Sequence, residues 1–335
     1  MITLYQGSEY SYPCAGTFVP NLIPYQHEDE TARPAVVVVP GGGYALVSPS
    51  EGEMVAKRFF DAGYQAFVLT YTINMFRLKP LETQPLRDIS RAVRYLRKNA
   101  AELHIDPSRV CCCGFSAGAH LVGSLAVHHA DVCLSADPDA EIDNRPDAVI
   151  LCYPVITAGE FAHKDSFTCL FGENPTPEQL AWSSLENHVT AQTPPTFLWQ
   201  TFTDETVPVD NSILFAKSCR AHGVRCELHL FMENKHGLSL ANAEWAENEV
   251  TPQALQTMMQ TWQTMKMMYA QSSNKLPEIF APAAQAADIA AFAAEWTKLL
   301  SAYHAQNPNK PDSSASQWPN LALAWLEKVI PAASI

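Results

Sequence analysis

The sequence predicts an α/β protein: a mostly parallel central sheet flanked by helices. Short apolar, β-branched runs recur without the alternation of a half-solvated strand, which suits strands buried on both faces. Amphipathic stretches at helical spacing separate those runs, and Gly or Pro punctuates their ends.

Residues 1–34 are rich in Tyr, Pro and Glu, and their apolar bursts at 2–5 and 16–19 are expected as edge strands. AVVVV (35–39) is a buried strand ending in PGGGY. EGEMVAKRFFDAG (51–63) is expected as a helix stopped by Gly63, followed by the strand YQAFVLTY (64–71). PLRDISRAVRYLRKNAAELH (85–104) carries Ile89, Val93 and Leu96 on one stripe and is expected as a long amphipathic helix. The alternation continues with strand 109–115, helix 116–130, strand 147–156, strand 196–202, helix 210–223, strand 224–231 and helix 251–270. Residues 158–195 lack periodicity and contain four prolines; an excursion of that length suggests a lid or binding wall.

Residues 1–270 thus read as one catalytic domain and 271–335 as a C-terminal helical extension. In the extension Ile289, Phe292, Trp296, Leu299 and Tyr303 share one helical stripe, and Trp318, Leu321, Trp325 and Val329 share another. They are expected to pack, either on the catalytic domain or in a homodimer.

With 22 Lys and Arg against 35 Asp and Glu, the net charge is −13, which argues against nucleic acid and against an anionic membrane surface. No run approaches the ~20 apolar residues that span a bilayer. The first residues show no basic segment leading into an apolar one, so no secretory signal is expected. There are nine Cys, three of them consecutive (111–113), which suits a reducing compartment; a cytoplasmic location is expected. Cys111, Cys112 and Cys113 alternate strand faces and cannot converge on one ion, so no metal is expected.

GFSAG (114–118), between a strand and a helix, has the G-x-S-x-G pattern of a nucleophile elbow. The glycines remove side chains that would clash in the turn, and the helix N-terminus directs free N–H groups at developing negative charge. Ser116 is the candidate nucleophile. Upstream, PGGGY (40–44) lets the backbone approach a ligand closely, and Gly42, Gly43 and Ala117 are the candidate oxyanion donors. No phosphate-loop pattern is present there.

A serine nucleophile needs a base and an acid that orients it. Asp204 and His236 follow strands, in loops where such a sheet places its site. Glu205 stays open as a rival acid, while Asp210 opens a helix and reads as its cap. His104, His128, His129, His222 and His229 lie on or at the ends of helices or inside a strand, and His120 reads as packing near the elbow.

PGGGY, EGE, GFSAGAHL, TPPTFLWQTFTDETVPVDNS and ENKHGLSLA together resemble the α/β-hydrolase superfamily, and within it the acetyl-esterase and acetylxylan-esterase-like group related to the hormone-sensitive lipase family. The resemblance covers most of residues 1–270 and implies Ser116 as nucleophile, Asp204 as acid, His236 as base, an oxyanion hole from the glycine loop and Ala117, and no cofactor. Pro40 and Ala119 depart from common forms of the pattern, and residues 271–335 have no counterpart in it. The implied activity is hydrolysis of short acyl esters, with a small-molecule ester as partner, including acetylated sugars or xylo-oligosaccharides. A peptidase or amidase on the same triad, or a silent binding protein on a hydrolase scaffold, are the alternatives.

Overall fold

The computed structural model describes residues 1–232, 234–247, 251–272, 276–306 and 308–331. The strands are β1 (Ile2–Thr3), β2 (Asn21–Tyr25), β3 (Arg33–Val39), β4 (Gln65–Thr70), β5 (Ile105–Phe115), β6 (Ala148–Cys152), β7 (Thr196–Thr201) and β8 (Cys226–Phe231). They form one sheet in the order β1-β2-β4-β3-β5-β6-β7-β8. β2 runs antiparallel to both its neighbours, and from β4 to β8 all pairings are parallel. The helices are α1 (Glu53–Phe60), α2 (Gln84–Lys98), α3 (Ala117–His128), α4 (Lys164–Phe171), α5 (Pro177–Ser183), α6 (Asp210–Ala221), α7 (Ala243–Glu247), α8 (Pro252–Gln256), α9 (Met259–Gln271), α10 (Ala281–Ala284), α11 (Ile289–Gln306) and α12 (Trp318–Val329). This is the α/β-hydrolase architecture.

The central strands read as continuous apolar runs because both their faces are covered. Val37, Val39 and Cys112 point into one core layer, whereas Val36, Val38, Cys111 and Cys113 point into the other. Burying each such Val contributes about 1.5–3 kcal/mol, so a polar residue in the run would cost on either face. The register between β3 and β5 pairs Val39 with Gly114. The glycine loop after β3 and the elbow after β5 therefore leave the sheet side by side.

Several boundaries differ from those the sequence suggests. Residues 16–19 form no strand: Phe18 is buried from a turn, and the antiparallel pairing with β4 is made downstream, by β2. The helix expected over 85–104 ends at Lys98, because the chain turns through Asn99 and reaches His104 at φ 52 before β5 begins. The helix expected over 251–270 is two, α8 and α9, divided at Thr257, whose hydroxyl hydrogen-bonds back to the Ala254 carbonyl at 2.5 Å. Asp210 is the first residue of α6 and not its cap; Val209 occupies that position without a side-chain bond. The excursion over 158–195 is a packed segment holding α4 and α5, with Phe167, Leu170 and Leu185 buried in the core.

The C-terminal helices cover apolar surface of the same body. Trp318, Ala322, Trp325 and Leu326 of α12 join the Cys111 and Cys113 side of the sheet. Trp318 stacks on Trp199 of β7 at 5.6 Å, and Trp325 meets Phe197 at 5.7 Å. Phe292 and Trp296 of α11 join Trp262 and Met265 of α9 in a third cluster. Ile289, Leu299, Leu321 and Val329 are partly buried as their stripes suggest, and the side chain of Tyr303 lies outside the described residues. Among the described residues no helix is long and apolar enough to cross a membrane.

Candidate active site

Ser116 stands between β5 and α3 at φ 51 and ψ −118, a conformation that costs a non-glycine residue on the order of 1–3 kcal/mol. Its neighbours explain why the turn can close. A Cβ on Gly118 would lie 2.2 Å from the Val39 carbonyl oxygen, and one on Gly114 would lie 2.4 Å from the Gly118 oxygen. The Ser116 N–H donates to the Cys152 carbonyl at 3.0 Å, and its carbonyl accepts from the N–H of His120 at 3.0 Å. Both bonds pin the strained residue to rigid elements.

The glycine loop is shaped by positive φ at Gly42 (120) and Gly43 (63). A Cβ on Gly42 would meet the Leu46 carbonyl oxygen at 2.3 Å, so only glycine fits there. Gly41 N–H is already spent on a Glu51 carboxylate oxygen at 2.7 Å. Among the described residues the N–H groups of Gly42, Gly43 and Ala117 donate to no protein acceptor. They are available at the mouth of the elbow, as an oxyanion hole needs.

The two remaining sequence candidates arrive at the same place. His236 Nε2 lies 2.8 Å from Ser116 Oγ, and His236 Nδ1 lies 2.6 Å from Asp204 Oδ2. The other carboxylate oxygen of Asp204 accepts the N–H groups of Thr206 and Val207, each at 2.9 Å, which fixes its orientation. A carboxylate on Nδ1 selects the tautomer whose Nε2 can accept a proton from serine. Glu205 is exposed and takes no part in this chain of bonds.

The rival histidines are engaged elsewhere. His229 pairs with Glu227 at 2.8 Å, His128 lies 3.1 Å from Asp131, and His129 and His222 bond nearby backbone carbonyls. His120 is buried, with Nδ1 2.8 Å from the Tyr44 hydroxyl and Nε2 3.0 Å from the Ser183 carbonyl. Burial lowers its pKa to about 4 and keeps it neutral. It braces the glycine loop through Tyr44.

Comparison with known proteins places this geometry in a family. A match to the BD-FAE family covers residues 23–219. The chain belongs to that family. Curated relatives align with this BD-FAE chain, two of them over most of its length. An endo-1,4-beta-xylanase B of Butyrivibrio fibrisolvens is 47% identical over 242 residues, which is 72% of this chain and 38% of that protein. An acetylxylan esterase of Xylanibacter ruminicola is 31% identical over 209 residues, 61% of this chain and 40% of that protein. The chain thus spans about two fifths of the length of these relatives. Among solved structures, the acetyl ester-xyloside bifunctional hydrolase of Caldicellulosiruptor lactoaceticus superposes with a TM-score of 0.67 at 36% identity, covering 83% of this chain and 97% of that one.

Four residues of this BD-FAE site escape a reading of the sequence alone. Glu51 is buried, and its carboxylate accepts from Gly41 N–H and from the Tyr153 hydroxyl at 2.7 Å each. Burial pushes its pKa up, against those two hydrogen bonds. Tyr153 accepts the Ser239 N–H at 2.9 Å and meets the His236 ring edge-on at 4.9 Å. Trp318, from the C-terminal extension, donates its indole N–H to the Ser239 carbonyl at 2.8 Å. One residue on α12 and one after β6 thus both hold the backbone of Ser239, in the loop that carries His236. The fourth, His163, precedes α4 and lies against Gly43. No spacing rule could find these residues, because each acts through a partner far along the chain.

The extension also walls a space next to the histidine loop. Beside Gly237, the residues Leu46, Ser48 and Ser50 face Trp296 and Leu300 of α11 across a cavity of about 150 Å³. Among the described residues no cluster of His, Cys, Asp and Glu could hold a metal ion.

Proposed function

We propose that this chain hydrolyses short-chain acyl esters, acetyl first, carried by sugars or xylo-oligosaccharides, through a Ser116–His236–Asp204 triad. The observation that supports it most is His236 bridging Ser116 at 2.8 Å and Asp204 at 2.6 Å beside three N–H groups that have no acceptor among the described residues. Ser116 Oγ attacks the ester carbonyl carbon as His236 Nε2 takes its proton. The carbonyl oxygen becomes an oxyanion held by Gly42, Gly43 and Ala117, each donor being worth ~3 kcal/mol in comparable enzymes. The intermediate collapses, and the alcohol departs with the proton from His236, leaving acyl-Ser116. Water, deprotonated by His236, attacks the acyl carbon through a second oxyanion; the acid leaves, and Oγ regains its proton. The acetylxylan esterase and the acetyl ester-xyloside hydrolase among the similar proteins support the substrate class. All nine cysteines are unbridged, which suits the reducing, cytoplasmic setting.

The test is hydrolysis of p-nitrophenyl esters of increasing acyl length, with Ser116→Ala alongside. Acetate is expected to be preferred, and Ser116→Ala to lower kcat about 10⁴-fold or more. Wild-type inactivity at every acyl length, or an active Ser116→Ala variant, would sink the reading.

A further inference from the structure

His163 lies at the rim of the candidate active site. It caps the start of α4, and its ring carbon Cε1 is 3.7 Å from where a Cβ on Gly43 would stand. The ring therefore borders the glycine loop. Burial, first of all, holds its pKa below the ordinary histidine value, so the ring is neutral at pH 7.

The tautomer follows from hydrogen-bond satisfaction. Nδ1 of His163 lies 2.8 Å from the hydroxyl of Ser166. Ser166 is fully buried, and among the described residues its hydroxyl has no other partner. Were Nδ1 the donor, the hydroxyl proton would be left buried and unpaired, which is costly. Ser166 therefore donates to Nδ1, and the ring proton sits on Nε2. Among the described residues Nε2 has no protein acceptor. The result is a fixed, uncharged N–H donor at the rim of a site whose other free donors are backbone amides.

We infer that His163 is a specificity-determining residue whose Nε2–H donates to an oxygen on the alcohol part of the substrate, a hydroxyl or ring oxygen of a polyol ester. The alcohol side is assigned because an acetyl group carries no oxygen besides its carbonyl, and the backbone donors of the glycine loop and the elbow hold that one. A p-nitrophenyl leaving group offers no such oxygen close to the ester. This inference rests on the esterase reading above.

The experiment measures kcat and KM for p-nitrophenyl acetate and for a methyl mono-O-acetyl-β-xylopyranoside, in wild type, His163→Leu, His163→Gln and Ser166→Ala, each checked for folding by its melting temperature. His163→Leu is expected to lower kcat/KM on the xyloside about tenfold more than on p-nitrophenyl acetate, the extra loss lying in KM, as one neutral hydrogen bond would give. His163→Gln, which retains an amide N–H, is expected to recover most of it. Ser166→Ala is expected to show a smaller loss of the same pattern, because the tautomer is no longer fixed. Equal losses on both substrates would overturn the inference in favour of an oxyanion or structural role. No loss on either would overturn it outright. A wild type active on p-nitrophenyl acetate but not on the xyloside would overturn it and leave the esterase reading standing; inactivity on both would fell the esterase reading itself.

Discussion

The nucleophile elbow and the histidine loop meet at a 2.8 Å hydrogen bond yet are held in different ways. The elbow is built locally. Ser116, its flanking glycines and the start of α3 occupy one short stretch, and backbone atoms of β3 and the turn itself leave room for hydrogen alone at Gly114 and Gly118. The loop carrying His236 is held from afar. Asn234, Ser239 and Ala241 all have positive φ there, and the bonds that keep them so come from Tyr153, Ser50, Asp312 and Trp318. Steric exclusion fails abruptly, whereas a set of separate hydrogen bonds fails by degrees.

The largest effect should come from intruding on the elbow. The Gly118→Ala methyl would meet the Val39 and Pro40 carbonyl oxygens at 2.2 and 2.4 Å, and backbone cannot rotate aside. We expect kcat/KM to fall about a hundredfold or more, since a misplacement near 1 Å costs that much, with a lower melting temperature. An unchanged rate and melting point would mean that the elbow is as adaptable as the histidine loop.

Acid should loosen the support behind the elbow. The pKa of His120, buried on α3, is lowered from 6.5 to about 4. Unfolded chains bind a proton below pH 6.5 that folded ones refuse, so stability is lost as pH falls from 6.5 towards 4. Between pH 7 and 5 that amounts to roughly 2 kcal/mol. Urea unfolding at both pH values should show His120→Gln losing about that much less than wild type; parallel losses would refute the assignment. Taking the difference between proteins matters because Glu51 and Asp88, whose pKa values are raised by burial, shift stability with pH in the opposite sense.

The smallest effect is expected in the histidine loop. Trp318→Phe keeps an aromatic ring on Trp199 but removes the N–H bond to the Ser239 carbonyl. One such bond is worth about 1 kcal/mol, so unfolding in urea should shift by that much and kcat/KM should fall severalfold. A collapse as deep as that of Gly118→Ala would mean that the loop depends on a single bond.

The candidate site was legible where chemistry and local conformation coincide. GFSAG needs its glycines because of its own turn, and PGGGY needs Gly42 for the same reason. Asp204 and His236 were legible from their positions after β7 and β8, since parallel strands deliver their loops to one edge of the sheet. Glu51 and His163 were not, because their surroundings come from β6 and the glycine loop, respectively. The split of the expected 251–270 helix was hidden for another reason: its apolar spacing continues through Thr257, where the N–H and the hydroxyl both turn back to the Ala254 carbonyl.

By itself the sequence determined the alternation of buried strands and amphipathic helices and the residue types at the elbow, the glycine loop and the loops that carry Asp204 and His236. Those features depend on hydrophobic periodicity and on backbone freedom, which are local properties. Only the tertiary structure decided that α12 closes over the sheet and bonds the histidine loop, that Glu51 takes up Gly41 N–H and so leaves Gly42 and Gly43 as the free donors, and that a buried serine settles which nitrogen of His163 carries the proton. Each of those depends on an unpaired polar group finding its partner in three dimensions, and a linear spacing carries no record of that search.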